Sequence, residues 1–133
     1  LEHIARNGGM IGITALGYFV GSDPGGKTNI ETYLDHIDHA VRLVGVDHVG
    51  LSSVFQVQGI RSWATKENWY EPRLKSFKPS YNVKWPPWIP ELDSTDRFLK
   101  VTYGLFKRGY SDSAIRKILG LNWMRYFEQI IGL

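Results

Sequence analysis

The stretch Gly45-Val46-Asp47-His48-Val49-Gly50-Leu51-Ser52-Ser53 decides the fold, together with the block Asp35-His36-Ile37-Asp38-His39 before it. The earlier block lies near the end of an amphipathic helical pattern, whose apolar positions are Ile30, Tyr33, Leu34, Ile37, Val41 and Val44. Gly45 ends this helix. The run from Val46 to Ser52 is apolar enough for a strand that is buried on both faces.

The residues upstream repeat the same order. Residues 1–7 read as the last turns of a helix, and residues 9–16 form another short apolar strand. Residues 17–27 are rich in glycine and predict a loop. Thr28, with Glu31 three residues later, predicts a capping box at the start of the next helix. Strands joined by a helix are parallel and adjacent, so we expect an α/β protein with an open sheet or a barrel.

Downstream lies an irregular insertion at about residues 54–92, which holds four of the five tryptophans and five of the six prolines. A helix follows from near Ser94 to about Arg108, and Ser111 caps another helix that Gly120 ends. A last helix runs from about residue 122 to residue 131. The expected inner face of the helix near 94–108 consists of Phe98, Leu99, Thr102, Leu105 and Phe106.

Composition and charge limit the classes of function that the chain can have. The 133 residues have a net charge of +3, and their basic residues are scattered, so we expect no nucleic-acid partner. The absence of cysteine excludes disulfides and cysteine-type zinc sites. Two strands leave open sheet edges. We therefore interpret residues 1–133 as a single partial domain, completed by an upstream portion of the same barrel or by another chain.

Several polar residues could be given chemical roles. His36 and His39 stand three apart on a helix, as metal ligands can, but flanking aspartates also fit a solvated surface, which we favour. Asp47 and His48 precede the second strand, the end opposite to that where parallel sheets carry their sites, so we interpret them as structural. We predict no metal ligand in this segment.

The aromatic stretch at residues 61–90 has three functional interpretations. It could form a substrate lid, a stacking surface for sugars or bases, or a subunit contact. We favour a lid combined with an interface, and inert packing is the alternative.

Three separated blocks resemble the late part of the membrane (renal) dipeptidases, peptidase family M19. The matching strings are Arg6–Ile13, then Tyr33–Val41 with Gly45–Leu51, and finally Arg108–Ser111, Ile115–Gly120 and Asn122–Phe127. The blocks occur in the family's order and cover most of the chain apart from the insertion.

The resemblance implies the C-terminal portion of a (β/α)8 TIM-type metallo-hydrolase barrel, with residues 9–16 as strand seven and residues 46–53 as strand eight. It implies a zinc-dependent dipeptidase that hydrolyses dipeptides through a metal-activated water. The family's two zinc ions are held by upstream motifs, so this segment would bind none and would be inactive alone. The implied partners are a dipeptide-like small molecule and further copies of the chain in a homo-oligomer. Family members are often exported or membrane-anchored, which leaves the compartment open.

One functional residue of the family falls inside this chain. The family's aspartate at the end of strand eight contacts the nucleophilic water and the substrate amine, and here its position is Val54. Valine cannot transfer a proton. The alternative is therefore a non-catalytic barrel relative that serves in binding or assembly. For the dipeptidase, we expect the substrate pocket to be lined by Tyr18, Ser53, Phe55, Trp63 and Trp69.

Overall fold

The structure is a computed structural model that describes residues 1–21, 28–53, 59, 61 and 63–132. The chain divides into two compact units. The first unit comprises Leu1–Ile13, Leu34–Ser52 and Val101–Leu133, and the second comprises Thr14–Tyr33 and Ser53–Lys100. Within the described ranges, no helix is both long and apolar enough to cross a membrane.

Regular elements follow the predicted order of helix, strand, helix and strand. They are α1 (Glu2–Arg6), β1 (Ile11–Thr14), α2 (Gly17–Val20), α3 (Ile30–Val44), β2 (Val49–Ser52), α4 (Glu71–Arg73), α5 (Arg97–Lys107), α6 (Asp112–Arg116) and α7 (Asn122–Ile131). The strands β1 and β2 are hydrogen-bonded neighbours in one sheet, as predicted. The α/β class is therefore confirmed.

The second strand begins later than predicted. Val46–His48 forms a 3₁₀ turn, and only Val49–Ser52 is strand. The cause is the side chain of Asn122, whose Nδ2 donates to the carbonyls of Val46 at 2.7 Å and Val49 at 2.8 Å. Because a buried amide satisfies these carbonyls, the turn does not need a neighbouring strand.

The start of α3 corrects two further predictions. Residues 17–27 were expected to form a loop, but Gly17–Val20 is the short helix α2, with Gly17 and Val20 buried. Glycines over residues 17–27 predict a loop, but the apolar residues at positions 18–20 form one helical turn. Thr28 was expected to cap α3, yet the Oδ1 of Asn29 accepts from the Thr32 amide at 3.1 Å. Asn29 directly precedes Ile30, so it holds the N-cap position.

The core of the first unit lies between α3 and α5. Leu34 and Ile37 of α3 are fully buried, as is Leu105 of α5. A methyl group added at Gly104 would lie 2.4 Å from the Leu34 Cδ1 atom, so the glycine permits close contact between the two helices.

The predicted inner face of α5 was partly wrong. Leu105 is buried as expected, but Phe98, Leu99 and Phe106 are 47%, 71% and 64% exposed. This helix is apolar on two sides, so spacing alone did not identify the buried one. Gly104 faces Leu34, which brings Leu105 and Val101 to the buried side.

The indole of Trp123 connects α7 to the strand pair. Its Nε1 donates to the Leu51 carbonyl at 3.0 Å. A methyl group at Gly50 would lie 2.4 Å from this nitrogen, and one at Gly12 would lie 3.1 Å from the indole Cζ2. Two glycines, one in each strand, therefore make the space that the ring occupies.

The predicted start of α6 is confirmed, but its predicted end at Gly120 is only partly right. Helix α6 ends at Arg116, and a π-helical turn (Lys117–Leu121) continues past the glycine. The Ser111 hydroxyl accepts from the Ala114 amide at 3.3 Å and caps α6. Gly120 interrupts the helical backbone between α6 and α7, with φ 176° and ψ −26°.

The second unit is built mostly from short turns. One π-helical turn (Lys66–Tyr70) precedes α4, and 3₁₀ turns occur at Leu74–Ser76, Pro79–Tyr81 and Pro90–Leu92. An antiparallel bridge joins Leu16, just after β1, to Trp88. Hydrogen bonds from the Gly17 amide to the Pro87 carbonyl (2.9 Å) and from the Ile89 amide to the Ala15 carbonyl (3.3 Å) flank it.

Candidate functional site

Three tryptophans of the insertion pack against one another. The ring of Trp88 lies 5.0 Å from that of Trp85 and 5.7 Å from that of Trp69, both edge-to-face. Trp88 is only 4% exposed, and Trp69 and Trp85 are half-buried. The Tyr70 hydroxyl donates to the Val83 carbonyl at 2.5 Å beside this cluster. The rings thus form a small core, around which residues 63–92 are arranged as short helical turns.

The predicted pocket residues Trp63 and Trp69 have different surroundings. Trp63 is 46% exposed, so it can contact a ligand or a partner. Trp69 belongs to the tryptophan core, and the guanidinium group of Arg73 lies over its ring. The guanidinium carbon lies 4.9 Å from the ring centroid, and Nη1 donates to the Trp69 carbonyl at 2.8 Å. Trp69 therefore has little free ring face to offer a substrate.

Tyr18 lies in a separate aromatic cluster just after β1. Its ring is 4.5 Å from Phe19, 5.7 Å from Phe77 and 6.2 Å from Tyr81, measured between centroids. Burial, and to a lesser extent Tyr81, raises the pKa of the Tyr18 hydroxyl, which therefore stays protonated at neutral pH. Among described residues, the ring contacts of Tyr18 and those of Trp69 belong to different clusters.

Ser53 follows β2 and is exposed. The next two positions of interest, Val54 and Phe55, lie outside the described residues. The predicted roles of Ser53 and Phe55 in a pocket, and of Val54 in place of the family's aspartate, therefore stay predictions.

A buried carboxylate anchors the second unit and was not singled out from the sequence. Asp93 is fully buried, and its Oδ2 accepts from the Arg61 amide at 3.0 Å, with the Arg61 Nε at 4.0 Å. A methyl group at Gly59, where φ is +88°, would lie 2.6 Å from the Asp93 Oδ1. Asp93 thus fixes backbone positions that follow β2 in sequence. Asp93 begins the polar string Asp-Ser-Thr-Asp at residues 93–96, and such a string predicts exposed side chains.

The acidic residues beside the helix histidines belong to an ion-pair cluster of the first unit. The Arg108 Nη1 donates to Asp38 at 2.5 Å and to Asp35 at 2.7 Å. The Tyr110 hydroxyl donates to the other oxygen of Asp38 at 2.7 Å. Burial and then Asp38 raise the pKa of Tyr110, so its proton is retained in this bond. This cluster was not predicted from the sequence, although Arg108 and Tyr110 flank Gly109, which follows α5.

The residues with metal-ligand chemistry have structural surroundings. His36 and His39 are exposed on α3. His48 contacts the Gly9 carbonyl through Nδ1 at 3.0 Å, and Asp47 binds the Lys117 ammonium at 2.6 Å. Over the part of the chain that the structure describes, no group of three or more His, Cys, Asp or Glu side chains could hold a metal ion. These residues do not fit a metal site.

Comparison with known proteins shows which family the chain resembles. The family model for membrane dipeptidases (peptidase family M19) matches residues 1–67, which include both strands. The chain is 30% identical over 130 residues to dipeptidase ataJ of Aspergillus terreus, and 23% identical over 130 residues to dipeptidase tcpJ of Claviceps purpurea. It covers 25% and 24% of these relatives, and 98% of its own length is aligned in each case. The chain therefore spans about a quarter of the curated relatives it matches.

Solved structures show a similar fold. An amidohydrolase from Pseudomonas aeruginosa superposes with a TM-score of 0.74 and 21% identity, covering 99% of this chain and 39% of that one. The dipeptidase AC, a metallopeptidase of family M19, gives a TM-score of 0.65 and 19% identity, covering 94% and 29%. A metallopeptidase from Rhodobacter sphaeroides, liganded with a phosphinate mimic of the dipeptide L-Ala-D-Ala, gives 0.59 and 19%, covering 90% and 27%.

Proposed function

Because this chain belongs to the membrane dipeptidase family, peptidase family M19, we propose that the protein that carries it hydrolyses dipeptides or closely related small amides. The observation that carries this proposal is the family match over residues 1–67. That range contains α1, β1, α2, α3 and β2, which are the elements on which a site at the strand ends would be built. The relatives with curated names are themselves called dipeptidases.

The role proposed for this segment is to supply two neighbouring strands of a (β/α)8 barrel and part of the pocket wall. Side chains that follow the carboxyl ends of parallel strands are those that reach substrate in α/β enzymes. Tyr18 follows β1 and Ser53 follows β2, so both stand at such positions in the chain. Trp63 is exposed enough to act in the proposed aromatic lid.

Metallopeptidases of this family imply a metal, but the described residues do not fit one. We therefore assign no step of the reaction to a metal ion held by these residues. Zinc, expected from the family resemblance, would have its ligands elsewhere in the protein. The proposed contribution of this segment is to shape the pocket and exclude water from it.

Val54 supports a second candidate function. The family resemblance places an acid at this position, and a general acid or base contributes about 10²–10⁴-fold to a rate. A barrel relative that lacks it could bind dipeptides or take part in assembly without hydrolysing them.

One experiment separates the two candidates. The whole protein is assayed against a panel of dipeptides as wild type and as Val54→Asp, with Val57→Asp as a control for adding an acid nearby. Hydrolysis by the wild type supports the dipeptidase. If only Val54→Asp is active, the protein is a relative that has lost the chemistry. If both are inactive with zinc supplied, the proposed hydrolysis is wrong.

A further inference from the structure

We propose that the cluster of Tyr18, Phe19, Phe77 and Tyr81 is a subsite for a bulky aromatic or apolar side chain of the substrate. The inference rests on the proposed function and specifies its substrate class. It predicts a preference for dipeptides that carry a ring or a large apolar group over those of alanine and glycine.

The position of the cluster supports a role in substrate binding. Tyr18 and Phe19 belong to α2, which begins two residues after β1 has ended at Thr14. The bridge between Leu16 and Trp88, with its two flanking hydrogen bonds, fixes the backbone at this point. The rings thus stand on a held backbone directly after a strand, the region where α/β proteins place substrate contacts.

The rings of the cluster are unequally buried. Tyr18 and Phe77 are half-buried and form the inner part, with their ring planes at 61°. Phe19 is 54% exposed and Tyr81 is 36% exposed, with centroids 5.9 Å apart and planes at 74°. Two outer rings therefore keep uncovered edges and faces beside an aromatic base.

The aromatic side chains of the cluster favour an uncharged, apolar ligand. Aromatic rings prefer offset or edge-to-face neighbours, and the exposed parts of Phe19 and Tyr81 leave such contacts unmade. The Tyr18 hydroxyl, whose ordinary pKa is 10.0, is uncharged at neutral pH, and burial raises that pKa further. An uncharged ring or a large apolar side chain gains more here than a methyl group does.

The tryptophan core of the same unit provides an internal contrast. Its rings are also edge-to-face, but Trp88 is 4% exposed and Trp69 is covered by Arg73. In that core the aromatic contacts are made within the protein. In the Tyr18 cluster the Lys78 ammonium lies over the Tyr81 ring, 6.0 Å from its centroid, but Phe19 is 54% exposed and Tyr81 is 36% exposed, so part of the outer side is open.

The test measures the affinity of the whole protein for two phosphinate dipeptide mimics. One mimic carries methyl side chains, as does the L-Ala-D-Ala mimic bound to the Rhodobacter sphaeroides relative. The other replaces one methyl by benzyl. The variants are Phe19→Ala and Tyr81→Ala, with Phe106→Ala as a control because Phe106 is an exposed ring on α5 outside the cluster. Thermal unfolding verifies that each variant is folded.

We expect the benzyl mimic to bind the wild type about tenfold more tightly than the methyl mimic. Phe19→Ala and Tyr81→Ala should each remove most of that preference while changing the affinity for the methyl mimic by less than about twofold. Phe106→Ala should preserve the preference. Equal losses for both mimics in the two cluster variants, or no loss in either, would overturn the subsite and leave the proposed function intact. Failure of both mimics to bind the wild type would overturn the proposed function and the subsite with it.

Discussion

The two units of this chain obtain their order by different means. In the first unit, α3, α5 and the strand pair are regular elements, and charged groups such as Asp38 and Arg108 hold neighbouring elements together. In the second unit the regular elements are short, and aromatic rings around Trp88 and the buried Asp93 provide the fixed points.

This difference changes how polar residues should be interpreted in each unit. In the first unit, Asp38 and Asp47 have the residue type of a catalytic site, yet they bind Arg108 and Lys117. In the second unit the conspicuous residues are aromatic, and the single fully buried carboxylate, among residues with a described environment, is Asp93. In the first unit these acidic side chains form ion pairs with basic ones, whereas the proposed substrate contacts belong mainly to the second unit.

The largest expected effect is in the second unit, from Asp93→Ala. Loss of this carboxylate removes the acceptor of the Arg61 amide in a fully buried place. Loss of a hydrogen bond to a charged group costs about 1.5–3 kcal/mol of unfolding free energy, and the cavity left at this buried position adds to that cost. Urea denaturation followed by tryptophan fluorescence measures it. Glu71→Ala is the control, because Glu71 is an exposed acid of the same unit and its loss should change the free energy of unfolding much less. Similar losses in both variants would show that Asp93 is not an anchor.

The next effect concerns the first unit and the space under Trp123. Gly50→Ala places a methyl group 2.4 Å from the indole Nε1, so we expect a loss of about 1–3 kcal/mol. In a Trp123→Phe background the nitrogen is gone, and the same substitution should cost at least about 0.5 kcal/mol less. A double-mutant cycle by chemical denaturation gives this difference. Additive effects would refute direct contact between the ring and Gly50.

A smaller effect is expected from the ion-pair cluster. Tyr110→Phe removes the hydroxyl that donates to Asp38. Because Asp38 is half-buried and keeps its contact with Arg108, we expect a loss of about 0.5–1.5 kcal/mol. Tyr103→Phe removes a hydroxyl from a side chain that is 59% exposed, and should change stability by less than about 0.5 kcal/mol. The two variants are compared at neutral pH by thermal and urea unfolding. If Tyr110→Phe lowers stability no more than Tyr103→Phe does, the hydrogen bond from Tyr110 to Asp38 does not stabilise the first unit.

The smallest effect is the pH dependence contributed by Asp47. The hydrogen bond from Lys117 lowers the pKa of Asp47 below its ordinary value of 3.8. A lowered folded-state pKa gives stability that is complete above the unfolded value and is lost as the pH falls through the folded one. Asp47 is 56% exposed in its side chain, so the pair is worth less than about 1 kcal/mol.

For Asp47→Asn we therefore expect a small loss of stability at neutral pH and a flatter decline than wild type below about pH 3.8. Lys117→Met should flatten the curve in the same way, because it removes the partner. Added salt should reduce the difference in stability between wild type and the variants, because it screens the exposed ion pair. Parallel curves for wild type and both variants would contradict the assignment.

The sequence was most informative where periodic burial determines structure. Helix α3 and its end before Gly45 were predicted because the apolar spacing and the glycine specify them, whereas its N-cap is Asn29 and not Thr28. The order of elements was also predicted. The start of β2 could not be predicted because it depends on Asn122, more than 70 residues away. The buried side of α5 depended on Gly104 facing Leu34, a tertiary contact that spacing does not contain.

The candidate site was predictable only in part. The family resemblance was confirmed by the match over residues 1–67, and it identified Val54 as the position to test. Tyr18 was named as a pocket residue, but its neighbours Phe77 and Tyr81 lie about 60 residues later and come together only through tertiary packing. Asp93 gave no local signal, since an acid between polar residues is normally exposed.

The most direct test of the structural role assigned to the first unit is the zinc content of the purified 133-residue chain. It is measured by mass spectrometry after equilibration with zinc and dialysis, alongside His36→Ala, His39→Ala and His48→Ala. We expect near-zero zinc in the wild type and no change in the variants, because the described histidines and acids do not converge on a metal site. Stoichiometric zinc that is lost in one of these variants would show that its histidine is a metal ligand.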